Sequence, residues 1–342
     1  MQMKSSVTQN DVAREAGVTR SMVSYVISGN SDRSVALETR KRILDAIERL
    51  GYRPNKAAQV LQQGDVAFAS NKIGVVLCSA DVFLRPYYAE IISGIHTEAH
   101  RQNCQVSFIR FFYELKNPVL CNALIHEEEI GALILVAVDQ CLKTEEDLKI
   151  MEKIKERLSR IVCVEFQYEG LSSVMFDRRE TAQRAAEFLI EKGYRDIGYI
   201  GQKDGRMDGV RQAFSRNGIE LKEPDFFLAE TFDMRESFRA ADSIAEAGKL
   251  PRALICGSDE VAIGVLSALG KRAVAVPSDV ALISIDNIES SAYTCPPLTT
   301  MNVQKKAMGE RAVSMIVSGS AGKGADAITV VLPSSLVVRD SC

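Results

Sequence analysis

The chain has no tryptophan and only three histidines in 342 residues, and aromatic side chains make up 6% of it. It has no run of about 18 uncharged apolar residues, the minimum for a membrane-spanning helix. The N-terminal stretch MQMKSSVTQND is polar and lacks the apolar centre of a signal peptide, so a cytoplasmic protein is expected. The eight cysteines (Cys78, Cys104, Cys121, Cys141, Cys163, Cys256, Cys295 and Cys342) are scattered without a CxxC pair. That pattern argues for small buried hydrophobes or incidental thiols over a disulfide or zinc framework. Neither a GxxxxGK[ST] phosphate loop nor a GxGxxG dinucleotide turn occurs. His96 and His100 stand four apart, but in the order HTEAH and with no third ligand in view; they read as a solvated helix face. His126 has no triad context. Metal, cofactor and catalytic set are all expected to be absent, and an enzyme is argued against.

What is present is a globular chain with an uneven charge. Hydrophobic residues reach 46% and charged residues 25%, in the range of folded soluble domains. The length has room for about two or three domains of roughly 100–200 residues each. Residues 1–64 carry ten Lys/Arg against six Asp/Glu, whereas the remainder carries 32 against 39. A basic head on an acidic body points to a polyanionic partner for the head alone.

Local signals divide the head into three helices. Thr8 caps QNDVAREA, with Asp11 three residues on as in a capping box. Val12, Ala13 and Ala16 form its inner side, and Gly17 supplies a left-handed turn. Thr19 caps a second helix, RSMVSYVIS, expected to turn Met22, Val23, Val26 and Ile27 inward. Gly29 and Asn30 end it. A third helix, Leu37 to Leu50, buries Ile43, Leu44, Ile47 and Leu50 and stops at Gly51. Helix, glycine turn and helix form a DNA-reading unit. A plain three-helix bundle has the same pattern; the polar outer face of the second helix, with Arg20, Ser21, Ser24 and Tyr25, favours the reader. RPNKAAQVLQQG follows, with a helix-forming centre only two turns long, marginal in water by itself. It reads either as a linker or as a segment that orders on a partner.

The run NDVAREAGVTRSMVSYVISG…TRKRILDAIERLGYRPNKAAQVL resembles the head and hinge of the lactose-repressor (LacI/GalR) family. The resemblance implies that Arg20, Ser21 and Tyr25 read bases in the major groove, with Thr8, Thr19, Ser24 and Asn30 in the same DNA-facing set. An arginine at position 20 can fork onto a guanine edge, worth about 1–3 kcal/mol of discrimination. Tyr25 departs from the family, which usually has Arg there, so the usual operator does not follow. Ala36 stands where a Ser often caps the third helix. The resemblance further implies that the hinge folds on the operator and pairs with its mate in the minor groove. Leu61 would wedge between base pairs, with Asn55 near the hinge start and Ala58 on its close-packed face.

The body alternates apolar runs with amphipathic helical stretches. Candidate strands are KIGVVLC, CQVSFIRF, GALILVAV, RIVCVEF, SSVMF, DIGYIG, Phe226–Ala229, ALICGS and ALISID. This alternation implies parallel sheets with helices on both faces, and about 270 residues implies two lobes. Ligands of such sheets sit at the carboxyl ends of strands, so a cleft between lobes is expected to hold the pocket. Glu165, Asp177, Ser258, Asp259, Asp286 and Asn287 lie at those ends. Asp177 and Asp259 read equally well as helix caps. The charge-rich MEKIKERLSR reads as an exposed helix. Without tryptophan, Tyr87, Tyr88 or Tyr293 would serve for stacking on a sugar ring, or simply pack.

FDRRETAQRAAEFLIEKGYRDIGYIG, RMDG, SDEVAIGVLSAL, SIDNIESSAYTCPPLTT and LPSSLVVR match the same family in order. They also resemble periplasmic sugar-binding proteins, which share the fold. The resemblance runs from about Thr8 to Arg339. It implies that Arg206, three residues before Gly209, clamps an effector, that Asp286 accepts its hydroxyls, and that Glu165 is the acidic residue after the fourth strand. Tyr87 and Tyr88 match the aromatic region after the first strand. Ser258 replaces the family's Asn, which alters the expected effector set.

The expected protein is therefore α/β in class, with a helix-turn-helix head (1–53), a hinge helix (54–64) and a two-lobed, periplasmic-binding-protein-like body (71–342). It would be a homodimeric repressor of a near-palindromic operator, as two-fold symmetry requires, controlled by a sugar or nucleoside. The chain shows no leucine heptads after LVVRDSC, which favours a dimer over a tail-tethered tetramer. The alternatives are a sugar-binding receptor without DNA function and an enzyme on the same layered fold. No motif requires a phosphoprotein corepressor.

Overall fold

The structure is a computed structural model that describes residues 7–28, 35–52, 71–219, 226–228, 233–321 and 326–342. Gly29, Asn30 and the expected hinge, with Asn55, Ala58 and Leu61, lie outside the described residues.

Helix α1, Gln9–Ala16, begins with the reciprocal cap: Thr8 Oγ1 accepts from Asp11 N, and the Asp11 carboxylate accepts from Thr8 N at 2.9 Å. Two end-of-helix donors are thereby satisfied. Gly17, at φ 64°, closes the helix and sends its N–H back to Ala13 and Arg14 carbonyls; a side chain there would be strained. Helix α2, Arg20–Ser28, follows Thr19, whose hydroxyl accepts from Met22 N at 3.4 Å. Helix α3, Leu37–Leu50, starts at Ala36 with no side-chain cap and ends at Gly51, φ 60°. Val12, Ala13, Ala16, Val23, Ile43 and Ile47 fill the shared core. Met22 corrects the expectation: it is 38% exposed. With Val23 and Val26 filling the inner stripe of so short a helix, the neighbouring position turns outward. Leu44, expected buried, is only partly so.

Chain contacts separate two compact units: Met1–Leu84, Ile92–Val174 and Gly309–Thr329 form the first, and Arg85–Ile91, Met175–Met308 and Val330–Cys342 the second. In the first, strands β1 (Lys72–Leu77), β2 (Gln105–Phe111), β3 (Ala132–Val136), β4 (Ile161–Val164) and β5 (Ser172–Phe176) are parallel. With β11 (Thr329–Leu332) at the edge, the order is β11-β5-β4-β3-β1-β2. Every residue of β3 and β4 is buried, which is why these strands read as unbroken apolar runs. Helices α4 (Pro86–Arg101), α5 (Pro118–Leu124) and α6 (Glu145–Arg157) connect them. α6 corrects the reading of MEKIKERLSR as merely exposed: Met151 and Ile154 are wholly buried in the core, and the charges occupy its other side. A charge-dense helix still has one face to bury.

The second unit repeats the plan. β6 (Ile197–Gly201), β7 (Phe226–Leu228), β8 (Ala253–Cys256), β9 (Ala281–Asp286) and β10 (Thr299–Asn302) are parallel, and β12 (Ser335–Val337) runs antiparallel to β10. The order is β12-β10-β9-β8-β6-β7. Helices α7 (Arg178–Glu191), α8 (Gly205–Arg216), α9 (Met234–Glu246) and α10 (Asp259–Lys271) accompany these strands, and α11 (Lys305–Val317) begins in this unit and belongs to the first from Gly309 on. The Gly of RMDG allows α8 to touch α7: a Cβ on Gly209 would lie 2.0 Å from the Arg179 carbonyl oxygen. In both sheets the first strand in sequence lies between the second and the third, so strand order reverses beside β1 and beside β6. Such switch points, at the carboxyl ends of the strands, are where this architecture binds ligands.

Candidate DNA-reading face and effector site

Two features of the head prepare α2 to meet another molecule. Its inner residues Val23 and Val26 are locked in the core, and its outer residues Arg20, Ser21 and Met22 are exposed, with Ser24 and Tyr25 half-buried. Arg20 Nε donates to Gln9 Oε1 at 3.4 Å, a long bond that holds the guanidinium over α1. Thr8 and Thr19 act as the caps read from the sequence.

In the second unit the carboxyl ends of β6, β8 and β9 gather a dense set of charges. Asp286 ends β9 at φ 119°, and the next residue, Asn287, is at φ 53°. That sharp left-handed turn is held by Arg339, whose Nη2 donates to Asn287 Oδ1 at 2.7 Å, and by the Lys305 ammonium, which donates to the Asp286 and Asn287 carbonyls. Asp286 is 2% exposed, and its Oδ1 has no hydrogen-bond partner among the described residues. Burial first, then the negative charge of Asp259, pushes its pKa well above the ordinary carboxylate value; Arg206, Lys305 and Arg85 pull the other way.

Arg206 is buried in the first turn of α8, beyond β6, where Asp204 caps the helix and binds the guanidinium at 2.6 Å. Ser258 is the N-cap of α10, accepting from Val261 N at 3.2 Å. Asp259 does not cap. Its carboxylate accepts from Ser284 Oγ at 2.5 Å, Thr300 Oγ1 at 2.7 Å and Ile288 N at 2.7 Å, tying α10 to β9 and β10. Burial raises its pKa, and these three bonds oppose the rise. Asp177 is exposed and caps α7 through Glu180 N at 2.9 Å, so its structural role is the cap. Tyr87 and Tyr88 are buried edge to face at 5.1 Å. Tyr293 is 81% exposed.

Arg206, Ser258, Asp286, Tyr87 and Tyr88 therefore belong to one unit, together with Asp177. Glu165 belongs to the other; it is buried just past β4 at φ 78°. Two partners escaped the sequence reading. Arg85 Nε donates to Glu260 Oε2 at 2.8 Å, both largely buried, and its guanidinium lies 5.1 Å over the Tyr88 ring. Lys305 pairs with Glu90 at 3.5 Å. The sole available signal was a lone Arg before PYY and an extra acid after Asp259; nothing in sequence joins positions 175 residues apart. All eight cysteines are free thiols, and the described residues hold no His/Cys/Asp/Glu group fit for a metal. No helix among them is long and apolar enough to cross a membrane.

A helix-turn-helix head carried on doubly wound parallel units, one with a buried carboxylate at the carboxyl end of β9 whose Oδ1 lacks a partner among the described residues, defines a DNA-binding regulator with a ligand-sensing body. The pattern of "Bacterial regulatory proteins, lacI family" matches residues 8–55, and that of "Periplasmic binding protein-like domain" matches residues 167–342. The HTH-type transcriptional repressor PurR of Pasteurella multocida is 30% identical over 344 residues, covering 98% of each chain. The repressor MelR of Bacillus subtilis is 28% identical, covering 97% of this chain and 96% of its own. Among solved structures, a transcriptional regulator CelR–cellobiose complex superposes with a TM-score of 0.69 at 24% identity over 98% of this chain and 100% of that one. The lac repressor dimer bound to operator and the anti-inducer ONPF gives 0.68 at 22% identity, covering 98% and 99%.

The chain belongs to the LacI family of bacterial regulatory proteins. It is a DNA-binding transcriptional repressor, and it is not an enzyme. The sugar-receptor alternative is not favoured.

Proposed function

We propose that α2 reads operator bases through Arg20, Ser21 and Tyr25, supported by Thr8, Thr19, Ser24 and Asn30. The hinge would follow through Asn55, Ala58 and Leu61, within a division into head (1–53), hinge (54–64) and body (71–342). The effector is a small hydroxyl-rich molecule, a sugar or nucleoside. Asp286 accepts its donors, Arg206 donates to its acceptors, and Tyr87 and Tyr88 offer an apolar wall. Glu165 and Ser258 complete the expected set, whereas Asp177 enters only as a helix cap.

The observation that carries this reading is Asp286. A buried acceptor without a partner costs about 1–3 kcal/mol, and such a cost persists where a ligand supplies the missing donor. The bound cellobiose of the CelR complex supports the sugar class. Effector and DNA must shift each other's binding by the same factor. The test is a genome-fragment selection with the purified dimer at moderate salt, repeated with a panel of sugars and nucleosides. One near-palindromic site whose enrichment changes with one compound is expected, with operator affinity falling steeply as salt rises. Enrichment that no compound alters would overturn the effector assignment.

A further inference from the structure

The last turn of a helix leaves carbonyl oxygens without intrahelical partners. At the end of α3 the turn around Gly51 deals with part of this: Gly51 N donates to Glu48 O and Tyr52 N to Ile47 O. A further donor, to the already bonded Ile47 carbonyl and to the carbonyl of Tyr52 just past the helix, comes from far along the chain. Asn122, on α5 and only 1% exposed, sends Nδ2 to Ile47 O at 3.4 Å and to Tyr52 O at 3.3 Å. Val119, one turn earlier on α5, packs among the core residues of the head. Lys153 on α6 pairs with Glu48 of α3 at 3.2 Å. These contacts meet α3 near its C-terminal end, and they leave Arg20 and Ser21 on α2 exposed. Alongside runs an open cleft of about 310 Å³ between Leu37 and Leu44 of the head and Lys116 and Pro118 of the body. The dock is therefore local and centred on a single amide.

We infer that Asn122 is a positioning residue for operator recognition: it fixes the angle at which the body presents the head. In a dimer that angle sets the distance between the two reading helices and hence the half-site spacing the protein accepts. Asn122 suits the task because both its bonds go to main-chain carbonyls, which persist whatever side chains the head carries. The contact couples body to head by a route separate from the hinge. It rests on the DNA-reading function above.

The test uses the full-length dimer and an operator library in which two fixed half-sites are separated by a varied number of base pairs. Asn122→Asp keeps the shape of the side chain and removes both donors. Each net hydrogen bond is worth about a two- to tenfold change in an equilibrium. The variant should bind the best spacing about two- to tenfold more weakly, accept neighbouring spacings that the wild type rejects, and keep the same base preference within a half-site. Val119→Ala, which leaves the polar contacts in place, should flatten the spacing profile in the same direction and covers the case in which Asn122→Asp fails to fold. A spacing profile as sharp as the wild type's in a folded variant overturns the inference. A wild type that binds no spacing at all overturns the DNA-reading function instead.

Discussion

Asp286→Asn should weaken function and raise stability together. In the wild type the carboxylate is buried at the end of β9, with Oδ1 lacking a hydrogen-bond partner among the described residues. Burial, followed by the charge of Asp259, raises its pKa well above the ordinary value. A folded-state pKa above the unfolded one means that the folded protein holds the proton more tightly. Stability is then highest below the unfolded carboxylate pKa, falls as pH rises towards the folded pKa, and stays lowered above it. At neutral pH, above the unfolded carboxylate pKa, the buried acid therefore opposes folding. Asparagine has nearly the same shape and no titration. The amide keeps an acceptor oxygen, so what the substitution removes is the burial penalty on the charged form, a gain of about 1–3 kcal/mol. At about 2–4 °C per kcal/mol for a domain of this order, the melting transition of the second unit should rise by roughly 2–12 °C. Calorimetry at pH 7 and pH 4 measures this directly, and the gain should be larger at pH 7. Isothermal titration with the effector found by the selection should show affinity at least tenfold weaker, because an amide with one acceptor oxygen replaces the carboxyl group that meets its donors. An unchanged or lower melting temperature together with wild-type effector affinity would refute the reasoning at both ends.

Other substitutions separate the remaining roles. Asp259→Ala removes the acceptor of the Thr300 hydroxyl and the Ile288 amide and leaves Ser284 only its long bond to Thr299 O; it should destabilise the protein by about 2–4 kcal/mol in a denaturant titration. Arg20→Ala, on the exposed face of α2, should relax base preference at one operator position by about 1–3 kcal/mol and leave effector affinity alone; unaltered selectivity across a site library removes it from readout. Ala36→Ser supplies the cap that α3 lacks and should stabilise the head by about 0.5–1 kcal/mol, read as slower hydrogen exchange in α3. Leu61→Ala should weaken specific binding and reduce DNA bending, and a bend angle equal to the wild type's removes the wedge.

Much of the head was legible because its signals are local. Thr8 with Asp11, Gly17, Thr19 and Gly51 each act within one turn of their own position, and α3 runs over the residues expected of it. Met22 was misplaced since apolar character alone does not say which side of a nine-residue helix faces inward. In the body, the strands buried on both faces announced themselves as apolar runs, while β10, β11 and β12 did not. TTMN is polar in three of its four residues, and TVVL and SLV are partly exposed edge strands, so none of the three reads as a buried apolar run. The roles of the acids were ambiguous as well. Asp177 and Asp259 both directly precede helical runs; one caps its own helix, while the other reaches across to β9 and β10.

The sequence by itself determined the three-helix head with its polar outer face on α2, the alternation that builds parallel sheets, and the strand ends at which Glu165, Ser258 and Asp286 stand. These are properties of neighbours along the chain, set by capping, backbone conformation and hydrophobic period. The tertiary structure alone decided that Arg85 would pair with Glu260, that Arg339 and Lys305 would hold the turn after Asp286, and that Asn122 would finish the C-terminal end of α3. Each of those joins groups brought together by the winding of strands and helices, and a buried polar atom takes whichever partner that packing delivers.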